Sequence, residues 1–272
     1  MTDEPLKLKV YIDASLESEV QGVVAFGDFT LKDDLGVVYP DLGVAAFYED
    51  LYLGRPFPLV FVTRGVHTIG KLVAISLFLH RDLAIHPGTP GLVTAASFVD
   101  RHKLVGLAHI DRDLGRFFKF LETYLPASLS RDEQHERLGT AVDWIRQHVL
   151  EGTLPAMPPE PELPKILDVG TSGFVLAEAS GSLEDGWIEL YRQGFLRGAL
   201  FSPPHNDRRG VLVARKSLFL AFDLPRAASI LNEAEGAMGE SQRWIPSELW
   251  LRGPDGGTLL PISAVTDILV RV

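Results

Sequence analysis

Between Leu150 and Pro164 the chain reads LEGTLPAMPPEPELP, and its five prolines exclude both a continuing helix and a central strand. Each proline fixes φ and lacks a backbone N–H, so the segment is expected to behave as a semi-rigid linker. It divides the 272 residues into a first domain over 1–150, a linker over 151–164 and a second domain over 165–272. At 46% hydrophobic residues the chain has ample material for a core.

The two parts differ in texture. Before the linker, Leu6–Asp13, Gly22–Phe26 and Leu59–Thr63 read as strands, and Val37–Tyr48 as a loop with a further short strand or helix. Leu72–Leu79 is apolar except for Ser76 and falls well short of the roughly 20 residues of a membrane span, so it reads as a buried helix. Val93–Ala96 reads as a strand. Lys103–Leu125 has one apolar stripe through Leu107, Leu114 and Phe118, which places Asp111 on that stripe as a buried carboxylate. Ser130–Leu150 opens with SRDE, a capping box between Ser130 and Glu133.

After the linker come short runs at Phe174–Ala177, Trp187–Arg192, Leu196–Phe201, Val211–Ala214 and Leu218–Phe222, punctuated by Gly, Ser, Pro and Asn as in an antiparallel sheet. A helix is expected over Pro225–Glu235, capped by Asp223. The fold class expected is therefore α/β: a partly parallel sheet flanked by helices, with a second, smaller, mainly antiparallel α+β domain.

Charge narrows the partners. The net charge is −10, and neither half is basic, so an extended nucleic-acid footprint is not expected. The absence of cysteine removes disulfides, thiolate metal sites and a cysteine nucleophile together, and fits a reducing compartment. The acidic start MTDEP does not resemble an export signal, so a cytoplasmic location is expected.

Two loops carry candidate chemistry, each at a predicted strand-to-helix junction, where ligands gather in α/β folds. Gly65–Lys71, GVHTIGK, satisfies most of the phosphate-cradling pattern G-x-x-x-x-G-K-[ST], but Leu72 replaces the hydroxyl residue that would hold magnesium. Nucleotide binding through this loop is one reading. His80-Arg81-Asp82 resembles a kinase catalytic loop only by coincidence, since Pro87 stands where its Asn is needed. In the second loop, SFVDRHK, Asp100 and His102 stand two apart, and a carboxylate and an imidazole leaving a strand can present two ligands to one divalent cation.

This second segment, VTAASFVDRHKLVGLAHID, resembles the opening motif of the Asp-His-His (DHH) phosphoesterase superfamily, and an uncharacterised bacterial branch reading roughly N-H-F-D-x-D-G-L-V-G. Ser97-Phe98 would stand for its His-Phe, Asp100 for the first aspartate, His102 for the second, Lys103 for the glycine, and Leu104-Val105-Gly106 for L-V-G, with one residue inserted. The resemblance covers about residues 58–125, with echoes in RKSLFLAFDLP and in LWLRGPDGGTLLP, where related substrate domains carry a glycine-rich segment.

It implies a divalent-metal phosphoesterase with its site between the two domains. Asp100 and His102 would be catalytic metal ligands, His67 and Asp13 further ligands, and Arg208, Arg215 and Lys216 the anchors of a small phosphorylated substrate or nucleotide. Manganese or magnesium is implied ahead of zinc. The chain departs from the pattern, since Ser97 replaces a histidine, His102 replaces an aspartate, and no Asp-His-His triplet occurs. That departure supports the alternative of a non-catalytic binding or assembly protein on the same scaffold.

Overall fold

The structure is a computed structural model that describes residues 9–12, 23–27, 29, 36–54, 60–66, 68–160, 162–170, 172–215, 222–239 and 243–272. The chain forms two compact units, Met1–Pro158 and Pro159–Val272. Its class is α/β: one mostly parallel sheet with helices, and a separate mixed, mostly antiparallel sheet with its own helices.

In the first unit, β1 (Lys9–Ile12), β2 (Val23–Phe26), β3 (Gly36–Tyr39) and β4 (Val60–Thr63) form a sheet in the order β1-β4-β2-β3. Every described pairing in it is parallel. The central strands β2 and β4, VVAF and VFVT, are buried at every residue, as expected of parallel strands covered on both faces. Helix α1 (Val44–Tyr52) lies between β3 and β4, and α2 (Ile69–Leu79), α3 (Thr89–His109), α4 (Arg112–Tyr124) and α5 (Arg131–Glu151) follow β4, with a 3-10 turn at Arg81–Ile85. Phe26 and Phe61 stack at 5.2 Å, and Phe47 from α1 and Phe78 from α2 close over them. Helix α2 is buried from Ile69 to Phe78, so it runs through the core and not over its surface.

The first unit departs from three expectations. Val93–Ala96 is not a strand but part of α3, in which Leu92, Val93, Ala95, Ala96 and Val99 are buried at helical spacing. Pro90 sits in the first turn, where its missing N–H costs nothing. Lys103–Leu125 is not one helix: α3 ends at His109 and α4 begins at Arg112. Asp111 is consequently not buried on a stripe but exposed as the cap of α4, accepting from the backbone N–H of Asp113 at 3.0 Å and of Leu114 at 3.1 Å.

In the second unit, β5 (Lys165–Val169), β6 (Phe174–Glu178), β7 (Arg197–Phe201), β8 (Val211–Arg215), β10 (Trp250–Arg252) and β9 (Ile245–Pro246) lie side by side in that order. Only β6 and β7 are parallel, which requires a crossover. That crossover is α6 (Leu183–Arg192), so Trp187–Arg192 is helical and not the strand expected. Ser182 caps it, its hydroxyl accepting from the Asp185 N–H at 3.1 Å, and its apolar side carries Trp187, Ile188, Leu190 and Tyr191. Helices α7 (Leu224–Ala237) and α8 (Ile262–Val270) supply Leu224, Leu231, Val265 and Leu269 to a core with Phe201, Val213 and Leu251. Of the expected strand Leu218–Phe222, residues 218–221 lie outside the described residues.

Candidate functional site

Where β4 ends, Thr63 donates its hydroxyl to the Gly65 carbonyl at 3.0 Å, and Gly65 turns the chain with φ of 75°. Thr68 then adopts extended backbone and caps α2, accepting from the Lys71 N–H at 3.4 Å. The loop thus delivers the N-terminus of α2 to the carboxyl end of a central parallel strand. The first N–H groups of any helix lack partners within it, and in such folds they are the usual seat of an anion.

Here the anion comes from the chain itself. Asp100 Oδ1 accepts from the Ile69 N–H at 3.1 Å, and Oδ2 accepts from the Gly70 N–H at 2.7 Å. The aspartate is 3% exposed. Burial pushes its carboxyl above the usual range, opposed by the Gly70 amide, Lys103, the Ile69 amide and Lys71. Gly70 leaves the room for this contact, because a Cβ there would lie 2.5 Å from Asp100 Oδ2 and 3.2 Å from Val44 Cγ1, and one of them would have to shift.

Lys71, the cation of the loop, is likewise engaged. It is 2% exposed, and its Nζ lies 2.8 Å from Asp41 Oδ1 and donates to the Arg64 carbonyl at 3.3 Å. Asp41 stands in the turn before α1, at 58% exposure, against Gly27, whose φ of 107° and lack of Cβ admit it. Sequence reasoning singles out Asp100 but not its contact with the α2 amides, and misses Asp41 altogether, because each lies about thirty residues from the amide or amine it serves. A glycine in the first turn of an otherwise bulky helix was the one local signal.

The structure does not bring Asp100 and His102 together. Both lie on α3, where residues two apart point to different sides. Asp100 turns inward onto α2, whereas His102 is exposed with its ring 4.5 Å from that of Phe98. The pair therefore does not leave a strand, as the motif reading required, but stands within a helix. Asp13 and His67 lie outside the described residues. Among the described residues no group of three or more His, Cys, Asp or Glu is placed to hold a metal ion.

Just after His102, α3 kinks at Lys103, whose φ of 50° and ψ of −126° are a glycine-like conformation. Past the kink the helix folds back closely, so that a Cβ at Gly106 would meet Val99 Cα at 2.8 Å. Glu122 on α4 senses the same region. Burial raises its carboxyl, Lys119 and Lys103 oppose the rise, and the Asp100 charge adds to it.

In the second unit Arg208 Nη1 donates to the Gly257 carbonyl at 3.3 Å, and Arg209 exchanges backbone hydrogen bonds with Thr258. The Arg208-Arg209 segment and the glycine-rich turn thus meet. Arg215 gives Nε and Nη2 to the Glu248 carbonyl at 3.1 and 2.9 Å and Nη1 to the Phe222 carbonyl at 2.7 Å, a set of bonds that ties β8 to its neighbours. Lys216 lies outside the described residues. No protein-family model matches this chain, and neither does any curated protein.

Proposed function

We propose that the first unit is a binding or assembly scaffold in which the ligand seat at the α2 N-terminus has been filled from within. The observation that supports this is the commitment of both Asp100 oxygens to the Ile69 and Gly70 amides in a buried setting. A carboxylate so placed stabilises a helix terminus and does not need a cation. Lys71, held by Asp41 and the Arg64 carbonyl, is likewise engaged within the chain.

The test combines metal analysis of protein purified without chelator, a manganese-supplemented screen of phosphodiesters and phosphomonoesters, and thermal shifts with ATP and GTP. The expected result is metal well below one equivalent, no turnover, no nucleotide shift, and a lowered melting temperature for Asp100→Asn. Manganese-dependent hydrolysis that Asp100→Asn abolishes without loss of stability would overturn the reading. So would a nucleotide shift that Lys71→Ala removes.

One observation favours a second reading, a divalent-metal phosphoesterase-like protein related to the DHH superfamily. Lys103 stands where the resembling motif carries glycine, and its backbone takes the conformation that glycine favours. In that reading Asp100, His102, His67 and Asp13 hold manganese or magnesium, and Arg208, Arg215 and Lys216 grip the phosphoryl group. The same metal analysis and substrate screen decide between the two.

A further inference from the structure

The sheet of the second unit ends on two different strands. One edge, β9, has two residues and finishes on Pro246, which cannot donate to a further ladder. The other, β5, has five residues, all exposed, and among the described residues no strand pairs with its outer side. Ile166, Leu167 and Val169 along it are between 41% and 48% exposed, and Leu163, two residues before it, is 58% exposed. An apolar edge of that kind is a template for another strand.

The register of β5 on β6 indicates which strand it fits. Lys165 faces Glu178, Ile166 faces Ala177, Asp168 faces Leu176 and Val169 faces Val175, so Leu167 is the inserted residue of a bulge. In a regular strand, residues three apart point to opposite faces. The bulge removes one step of that alternation. Lys165 and Asp168 therefore share one face, with Glu178 and Leu176, while Ile166 and Val169 share the other.

We propose that β5 is a dimerisation edge, pairing antiparallel with β5 of a second copy of this chain about a two-fold axis normal to the sheet. Rotation about that axis keeps each face on its own side, so facing residues must come from the same face. Lys165 of each copy then meets Asp168 of the other, and Ile166 meets Ile166 of the other copy on the opposite face. Sliding the ladder to set Lys165 against Lys165, or Asp168 against Asp168, opposes like charges. The spacing of the charges thus selects one register. Edge charges also serve to block pairing in other proteins, but there they need no complementarity to themselves.

Sedimentation velocity of the full chain at micromolar concentration tests this independently of the function of the first unit. The wild type is expected to sediment as a dimer. Asp168→Lys sets lysine against Lys165 of the other copy and is expected to weaken the dimer by about tenfold or more. Lys165→Asp combined with Asp168→Lys exchanges the charges and restores it. Asp168 faces Leu176, whereas Lys165 faces Glu178 on its own sheet, so the first variant isolates the contact between copies. Ile166→Glu, at an exposed position, is a second disruptor, and far-UV circular dichroism checks the fold of each variant. A monomeric wild type overturns the proposal, as does capture of an extended peptide by a monomer. A dimer indifferent to Asp168→Lys, or not restored by the exchange, overturns it as well.

Discussion

The Gly70 amide donates to Asp100 Oδ2 at 2.7 Å across the junction of α2 and α3, and the glycine leaves no room there for a Cβ. Two predictions follow from this one contact. Gly70→Ala must push the carboxylate away from two amides, and the buried N–H groups then lose their partner, at a cost of about 1–3 kcal/mol. Asp100→Asn keeps the size but turns an NH2 toward one of the amides, and a similar loss is expected. Denaturant unfolding of both variants checks this. Wild-type stability in either would show that the cap contributes little.

How far this was legible in the sequence depends on the reach of each interaction. The capping box at Ser130 and the Asp223 cap of α7 lie within four residues of their partners, and both form as expected. Val93–Ala96 and Trp187–Arg192 were misread because a short apolar run has the same pattern in a buried strand and on one side of a buried helix. Pro90 and Ser182, each in position to open a helix, were the local cues that would have corrected the reading. Asp100 is a different case. Its residue type and expected loop setting suggest a ligand, whereas the contact it makes in the fold is with an amide pair thirty residues earlier, which no local pattern encodes.

In the second unit, the indole of Trp187 is wholly buried and donates Nε1–H to the Leu212 carbonyl at 2.8 Å. It pins the crossover helix α6 to β8. Trp187→Phe removes that bond and leaves a smaller ring in the slot, so a loss of about 1–3 kcal/mol is expected from the hydrogen bond alone. Thermal unfolding of the variant checks it, and an unchanged midpoint would mean that the slot relaxes around phenylalanine.

Two half-buried histidines of the first unit predict an acid-sensitive stability. Burial is the main cause that lowers His80, with Arg146 pushing the same way, and burial is likewise the main cause that lowers His148. The folded state therefore holds fewer protons than the unfolded chain just below pH about 6.5, the ordinary histidine value. Stability from these groups is full above that pH and declines as pH falls toward their folded values. Asp100 and Glu122, both raised, act oppositely: their unfolded carboxyls ionise near pH 4, and stability falls as pH rises from there through their folded values. Replacing His148 by phenylalanine, which suits its contact with Phe117, should flatten the histidine slope. Denaturant midpoints measured across pH 5–7 read this directly, and an unchanged slope would assign the sensitivity elsewhere.

The kink at Lys103 offers a prediction of the opposite sign. Its φ of 50° with ψ of −126° is a conformation that costs a residue with a side chain about 1–3 kcal/mol, and glycine far less. The strain persists because Gly106 packs directly on the Val99 backbone beyond the kink, so the two helical stretches determine the turn between them. Lys103→Gly removes the strain, but it also removes a cation that offsets the carboxylates of buried Asp100 and half-buried Glu122, and it enlarges the freedom of the unfolded chain. The conformational gain outweighs these losses, because the lysine is exposed and its charge is screened by water. A net stabilisation of about 1 kcal/mol is expected, whereas Lys103→Ala retains the strain, loses the charge and destabilises. If glycine and alanine shift the unfolding midpoint equally, the kink is not strained and the backbone at Lys103 is set by its charge contacts instead.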